Sequence, residues 1–281
     1  GVRQKSSLLS NRFAYKGVHS DIIYKRENIM SEPRFFALII GTEILNRRRA
    51  DKHFDFVSKA LTQKGHKLSG SFIIEDDPAL IVQTIKFIAS QKNAVLFSFG
   101  GIGSTPDDHT RKCAAIALRD GTLHTHEEAK EIIVNKLGEK AYPYSIRMAE
   151  LPEGATLLEN PINQMPAFAL DTRYFFMPGF PEMSHPMVEK ILKQLIPNQR
   201  TYYRHTLTAL CKENVFIEVM EKMPQTVEFS SLPKLYSDGW RVSISVASTD
   251  EELALKCFNM YIDILEKQNI VYSLHDQHNE S

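Results

Sequence analysis

The chain has 281 residues, 43% of them hydrophobic and 24% charged, an ordinary globular composition that excludes a wholly disordered chain and leaves room for two domains. Lysine plus arginine number 34 and aspartate plus glutamate also number 34, so the balance offers no electrostatic footprint for nucleic acid, and none is expected as a partner. The longest apolar run, 35–40, falls far short of the roughly 20 residues a membrane helix needs, so no membrane is expected either.

Residues 1–29 carry Arg3, Lys5, Arg12, Lys16, Lys25 and Arg26 against Asp21 and Glu27, without sustained periodicity. No apolar stretch or small-residue cleavage site follows these charges. We therefore expect Met30 to open the functional protein and 1–29 to be an extension that packs little against the core.

From Arg34 the pattern becomes regular. The run 35–40 ends at Gly41 and reads as a strand buried on both faces. Phe54, Val57, Ala60 and Leu61 recur at helical spacing within 51–64, and Gly65 stops that helix. A second strand is expected over 68–74. Pro78 opens a helix with Ile81, Ile85 and Ile88 on one face, and 94–97 is a third buried strand leading into Ser98-Phe99-Gly100-Gly101. Strand, helix, strand, helix, strand predicts a mostly parallel sheet with crossover helices on both faces.

Helices are expected over 108–118 and 127–137, a shorter-stranded region over 155–177, and a helical stripe at Val188, Ile191, Leu192 and Leu195. His124 and His126, before the second of these helices, read as solvated loop histidines. Pro197-Asn198-Gln199 is a candidate linker. Beyond it come a strand near 203–210, a helix near 212–223, strands near 227 and 240–247, and a helix with Leu253, Cys257, Met260 and Ile264 on one face. The expected organisation is thus an α/β domain over 34–197 and a small α+β domain over 203–270. The alternation of Val242, Ile244 and Val246 suits a strand buried on one face, and Trp240 is expected in that domain's core. Cys113, Cys211 and Cys257 have no C-x-x-C spacing and lie in apolar stretches. They read as small buried hydrophobes in a reducing, cytoplasmic setting.

The segment Gly100-Gly101-Ile102-Gly103-Ser104-Thr105-Pro106-Asp107-Asp108-His109-Thr110 carries the chemistry. It leaves a buried strand and enters a helix, which places it at the carboxyl edge of the sheet, where open α/β folds bind ligands. Its glycines let the backbone turn and expose amides toward an anion. Ser104 and Thr105 add hydroxyl donors. Asp107 and Asp108 can cap the helix or hold a divalent metal beside phosphate. No Gly-Lys-Ser/Thr follows and a third Rossmann glycine is missing, so neither generic phosphate motif accounts for the segment.

It resembles the GG-x-G-x-T-x-DD-x-T signature of the CinA amino-terminal domain, a relative of the MoaB and Mog molybdenum-cofactor proteins and of the amino-terminal part of eukaryotic FAD synthase. Three more segments agree in family order. Gly41-Thr42-Glu43-Ile44-Leu45 with Asp51 resembles the opening motif, Leu151-Pro152-Glu153-Gly154-Ala155 through Asn160-Pro161 the P-E-G-A…N-P segment, and Pro178-Gly179-Phe180-Pro181-Glu182-Met183 the closing turn. Together they span about 34–195. Departures are His53 for a usual Asn, Arg47 near a frequent glycine, Ser104 for a common proline and Ala167 for a glycine.

The resemblance implies a molybdopterin-binding-like fold, with the second domain similar to the intermediate module of CinA-type proteins in a stand-alone form without the deamidase domain. It implies that Gly100, Gly101, Gly103, Ser104 and Thr105 cradle phosphate, with Asp108 and Asp107 catalytic. Asp108 and Asp51 would hold a divalent metal, magnesium by expectation. Glu43, His53, Arg147, Asn160 and Asn163 would contact the ligand, a small phosphorylated molecule such as molybdopterin or a nucleoside diphosphate. The implied reaction is metal-dependent pyrophosphate hydrolysis of ADP-ribose-like nucleotides. Binding without turnover and adenylyl transfer to molybdopterin are the alternatives. A homodimer or higher homo-oligomer is expected.

Overall fold

The structure, a computed structural model, describes residues 32–198 and 200–275. The expected extension 1–29 lies outside the described residues. In chain order the elements begin with β1 (Arg34–Ile40), α1 (Thr42–Leu45), α2 (His53–Thr62), β2 (Leu68–Ile74), α3 (Pro78–Ala89) and β3 (Ala94–Phe99). Next come α4 (Thr110–Leu118), β4 (His124–Thr125), α5 (Glu127–Leu137), β5 (Glu150–Leu151), β6 (Thr156–Leu158), β7 (Ala167–Leu170), β8 (Tyr174–Met177) and α6 (Pro181–Leu195). The last are β9 (Tyr203–Ala209), α7 (Ile217–Glu221), β10 (Glu228–Tyr236), β11 (Gly239–Ser248), α8 (Glu251–Lys267) and β12 (Tyr272–His275).

The described residues fall into two compact units, those of Gly1–Leu45 with Ile73–Met187 and those of Asn46–Phe72 with Val188–Ser281. These are not the two linear segments expected from the sequence, because the second unit also takes in Asn46–Phe72. The tie is visible in two hydrogen bonds and one close contact. Arg200 N donates to the Lys64 carbonyl at 3.2 Å, Lys64 Nζ donates to the Ile196 carbonyl at 3.1 Å, and Gly65, at φ +72°, lets Arg200 pack against it.

A six-stranded sheet has the order β2-β1-β3-β8-β7-β6. β1, β3 and β8 run parallel, while β7 and β6 turn antiparallel at one side. The parallel strands are apolar on both faces, as a sheet covered on both sides demands: β3 is buried throughout and β1 from Phe35 onward. Phe97 stacks on Phe35 of β1 and on Phe175 of β8, with ring centroids 6.1 and 5.8 Å apart. Phe168 and Phe176 stack at 4.8 Å across β7 and β8. α3 starts where Pro78 predicts it, because Asp77 accepts hydrogen bonds from the Ala79 and Leu80 amides at 2.8 and 3.4 Å. Its Ile81, Ile85 and Ile88 are buried, and it packs against α4. His126, expected as a loop histidine, instead caps α5 by accepting from the Ala129 amide at 3.3 Å, while His124 stays exposed beside Thr122.

In the second unit, β9-α7-β10-β11-α8-β12 form a split β-α-β-β-α-β module with an antiparallel sheet ordered β10-β11-β9-β12. Leu207, Val242, Ile244 and Val246 pack against Phe216, Cys257, Phe258, Tyr261 and Leu265. Three expectations are corrected here. The 212–223 helix breaks into a 3-10 turn, Glu213–Phe216, and the short α7, because Val and Phe at its start and Ile at its middle favour helix weakly. β12 pairs with β9, and its four residues carry too little pattern to stand out. Trp240 shares the face of Val242 and Ile244, but it lies one residue past the hairpin turn and is 39% exposed. The described helices include none long and apolar enough to cross a membrane.

Candidate functional site

The strand directions bring several loops to one edge of the sheet. β1, β3 and β8 end together because they are parallel and in register, Ile39 beside Phe99 and Phe99 beside Met177. Antiparallel pairing then sets the start of β7 and the end of β6 at that same edge, Leu158 opposite Ala167. Four segments singled out by the resemblance therefore share it: Glu43 after β1, the loop 100–108 after β3, the turn at Asn160 and Asn163 after β6, and Gly179 after β8.

The loop is built around its glycines. Gly100 has φ +101° and Gly101 φ +68°, conformations that side chains resist. The Gly100 amide donates to the Met177 carbonyl at 3.0 Å, continuing the β3–β8 pairing by one bond. A Cβ on Gly100 would lie 2.5 Å from the Ile40 carbonyl oxygen, and one on Gly101 would collide with Thr110 Oγ1. Thr110, fully buried at the start of α4, returns the contact. Its hydroxyl donates to the Gly100 carbonyl and its amide to the Gly101 carbonyl, each at 2.9 Å. The loop is thereby pinned beneath the positive end of α4. Ser104 forms no side-chain hydrogen bond among the described residues, so its hydroxyl is available to an anion.

Of the two roles open to Asp107 and Asp108, capping α4 is not one they take. The residue before α4 is His109, whose side chain forms no cap bond, so neither aspartate caps the helix. Asp108 folds back on its own loop. Its Oδ2 accepts from the Thr105 amide at 2.8 Å and lies 2.6 Å from the Thr105 hydroxyl. Gly103 makes room for that fold, since a Cβ there would meet Asp108 Oδ2 at 2.5 Å. Asp107 Oδ1 lies 2.5 Å from the same hydroxyl. One proton thus stands between two carboxylate oxygens.

The Thr105 hydrogen bond, first, and a backbone bond hold the Asp107 carboxyl below its ordinary value of 3.8. Such a depressed group contributes any stabilisation above its unfolded value and loses it as pH falls through the lower folded value. An NMR titration is expected to place the Asp107 midpoint below 3.8, and Thr105→Val to move it upward. An unchanged midpoint in Thr105→Val would show that the hydroxyl is not its cause.

Other expected residues take other places. Glu43 folds over Gly41, its carboxylate 2.9 Å from where a Cβ on that glycine would stand. Asp51 accepts from the His53 and Phe54 amides at 2.9 and 3.1 Å, closing the start of α2. His53 is 2% exposed, so it does not present its ring to solvent as a phosphate or metal contact would. Asn160 is fully buried, and its Oδ1 shapes the turn by accepting from the Ile162 and Asn163 amides at 3.0 and 3.4 Å. Asn163 Nδ2 meets Met183 Sδ at 3.7 Å, which ties that turn to the start of α6. Arg147 is exposed and lies over the Tyr144 ring.

Two residues were not foreseen. Asp76 Oδ2 accepts from both the amide and the hydroxyl of Thr42, at 2.8 and 2.9 Å. The acidic run Glu75-Asp76-Asp77 after β2 was its only sign. Arg111 is 7% exposed and donates to the Gly103 carbonyl at 2.8 Å, to the Glu150 carbonyl at 3.1 Å and to the Arg147 carbonyl. Burial presses its guanidinium below the ordinary range.

Residues 36–198 match the family model described as "Probable molybdopterin binding domain". The chain is 31% identical over 170 residues to a CinA-like protein of Citrifermentans bemidjiense, covering 58% of this chain and 40% of that one. It is 29% identical over 180 residues to a CinA-like protein of Sulfurihydrogenibium, covering 59% and 43%. It thus spans about two fifths of the length of these CinA-like relatives. Among solved structures, CinA from Thermoplasma acidophilum is 26% identical with a TM-score of 0.53, over 58% of this chain and 99% of that one.

Proposed function

The chain belongs to the probable molybdopterin binding domain family, and from that membership we propose that it binds a small phosphorylated molecule, of molybdopterin or nucleoside-diphosphate type, on the loop 100–108. The observation that carries this reading is the loop itself: two positive-φ glycines pinned under the start of α4, with the Ser104 hydroxyl unengaged. Backbone amides at a helix start favour an anion there. The reaction we propose is metal-dependent hydrolysis of the pyrophosphate bond of ADP-ribose-like nucleotides.

The donor set suits magnesium, which takes one or two carboxylates and completes its shell with water and substrate phosphate. Asp107 and Asp108 converge on one hydroxyl proton, so a cation would relieve their mutual repulsion. Asp51 already holds the start of α2 with both oxygens, and we place the metal on Asp107 and Asp108 instead. When bound, the ion supplies charge neutralisation and polarisation of a phosphoryl oxygen. The chain's own residues hold and orient the diphosphate: Gly100, Gly101 and Gly103 by forming a loop without side chains to obstruct it, the Gly100 amide itself being bonded to Met177, and Ser104 by its hydroxyl. Asp107, its carboxyl held below the ordinary value chiefly by the Thr105 hydrogen bond, serves as a ligand.

Binding without turnover is a second reading, favoured by the two Thr105 hydrogen bonds that already engage Asp108 and make it a brace of the loop. Calorimetric titration with ADP-ribose, FAD, NAD and molybdopterin, with and without magnesium, tests the binding. Release of AMP from ADP-ribose tests the hydrolysis. Tight binding with no AMP released would leave the second reading standing, and adenylyl transfer would show as pyrophosphate released from ATP with molybdopterin. A symmetric homo-oligomer is part of the proposal, and a stable 32.1 kDa species in light scattering would remove it. So is a reducing, cytoplasmic setting, with which the free Cys113, Cys211 and Cys257 agree.

A further inference from the structure

We propose that Tyr144 is the stacking position for the planar heteroaromatic ring of the ligand, a nucleobase or a pterin. This rests on the reading of the loop 100–108 as a phosphate seat. The physical link between the two places is Arg111. It sits in the first turn of α4, where the helix field opposes a cation, and it is nearly inaccessible to water. A buried charge in such a place needs hydrogen-bonded donors; both terminal nitrogens have them, while the buried Nε has none among the described residues. Its planar fork reaches Gly103 on one side through Nη2 and Arg147 and Glu150 on the other through Nη1. The carbonyls of the phosphate loop and of the segment after Tyr144 are therefore no further apart than two hydrogen bonds and the width of one guanidinium.

Tyr144 stands immediately before the 3-10 turn Ser145–Ala149 that Arg111 secures. The ring is 63% exposed, and the Arg147 guanidinium lies 5.2 Å from its centroid. A cation on the ring restrains its orientation while leaving it open to a ligand. A lone exposed tyrosine would need no comment. An exposed one, held by an arginine whose own carbonyl is bonded to the same guanidinium as the glycine loop, has the makings of a ring subsite: an aromatic surface accepts any planar base without reading its edge. The diphosphate on the loop and the ring on Tyr144 would together define the ligand class.

The test is calorimetry on the full chain with magnesium, using three probes: ADP, hydroxymethylpterin diphosphate, and inorganic pyrophosphate, which has no ring. Tyr144→Ala is expected to weaken a ring-bearing probe by about tenfold and to leave pyrophosphate within about twofold, while Tyr144→Phe, which keeps the stacking face, restores the affinity. Whichever ring-bearing probe shows the loss identifies the ring. Equal weakening of pyrophosphate would reduce Tyr144 to support for the loop and overturn the proposal. Unchanged affinity for both ring-bearing probes would overturn it as well. So would a ring-specific loss in Phe180→Ala instead, since Phe180, 57% exposed, is the neighbour of Gly179, which packs against Gly100. Wild-type protein that binds none of the three probes would remove the phosphate seat and this inference together, an outcome distinct from the others.

Discussion

Gly100→Ala is expected to lower the melting temperature by about 10 °C and to abolish ligand binding at the loop. Two costs coincide at this residue. Its φ of +101° lies where an L side chain is strained, at about 1–3 kcal/mol. The added Cβ would also stand 2.5 Å from the Ile40 carbonyl oxygen, which belongs to a strand buried on both faces. That oxygen cannot swing aside as a side chain could, so the clash must move backbone, at about 1–3 kcal/mol more. A combined cost of about 3 kcal/mol, at about 3 °C each for a domain of this size, gives the expected shift. Gly138 is the control, because its φ is +57° but nothing lies within 4 Å of its Cβ position. Gly138→Ala is expected to lose only the conformational part, about 1 kcal/mol. Thermal melts of both variants decide the matter: equal shifts would show that strain alone acts and that the Ile40 contact is harmless.

What the sequence made legible follows from how local each signal is. β1, α3 and β3 were visible because Phe35 to Ile40 and Ala94 to Phe97 are unbroken apolar runs and because Pro78 and Ile81, Ile85, Ile88 mark a helix. The glycine loop was visible because positive φ needs glycine and a strand-to-helix junction needs room. Less was visible where the cause is distant in the chain. Arg111 reads as one more charge in a helix until tertiary structure sets the Gly103, Arg147 and Glu150 carbonyls around it. The grouping of Asn46–Phe72 with the second unit depends on Lys64 meeting Ile196 and Arg200, more than 130 residues later, and no periodicity reports such a pairing. Trp240 failed for a related reason. Alternation gives the face a residue occupies but not how far the packing helix extends along the strand. The two roles left open to Asp108, helix cap or metal ligand, could not be parted there, because the spacing of a carboxylate before a helix does not reveal that it will turn back to Thr105.

Asp108→Asn is expected to melt within about 2 °C of the wild type and yet to lose magnesium-dependent ligand binding or turnover by about tenfold to a hundredfold, the range for disturbing a metal site. The two effects separate because the carboxylate does two things. As a brace it accepts from the Thr105 amide at 2.8 Å, and the Asn side chain keeps an oxygen that can accept that same bond. It caps no helix, since the residue before α4 is His109, whose side chain forms no cap bond, so the loss of about 1 kcal/mol that follows removal of a cap does not arise. As an anion it stands with Asp107 around a single hydroxyl, and this is what an amide cannot reproduce. Removing one charge of the pair halves the attraction for a cation while the loop keeps its shape. The comparison is made on one preparation, by melting it with and without magnesium and by titrating it with ADP-ribose. Thr105→Val serves as the converse, removing the shared proton while both charges remain, and it is expected to retain magnesium dependence. A destabilised Asp108→Asn protein with wild-type affinity would make the carboxylate a brace only and would leave Asp107 as the group that holds the metal.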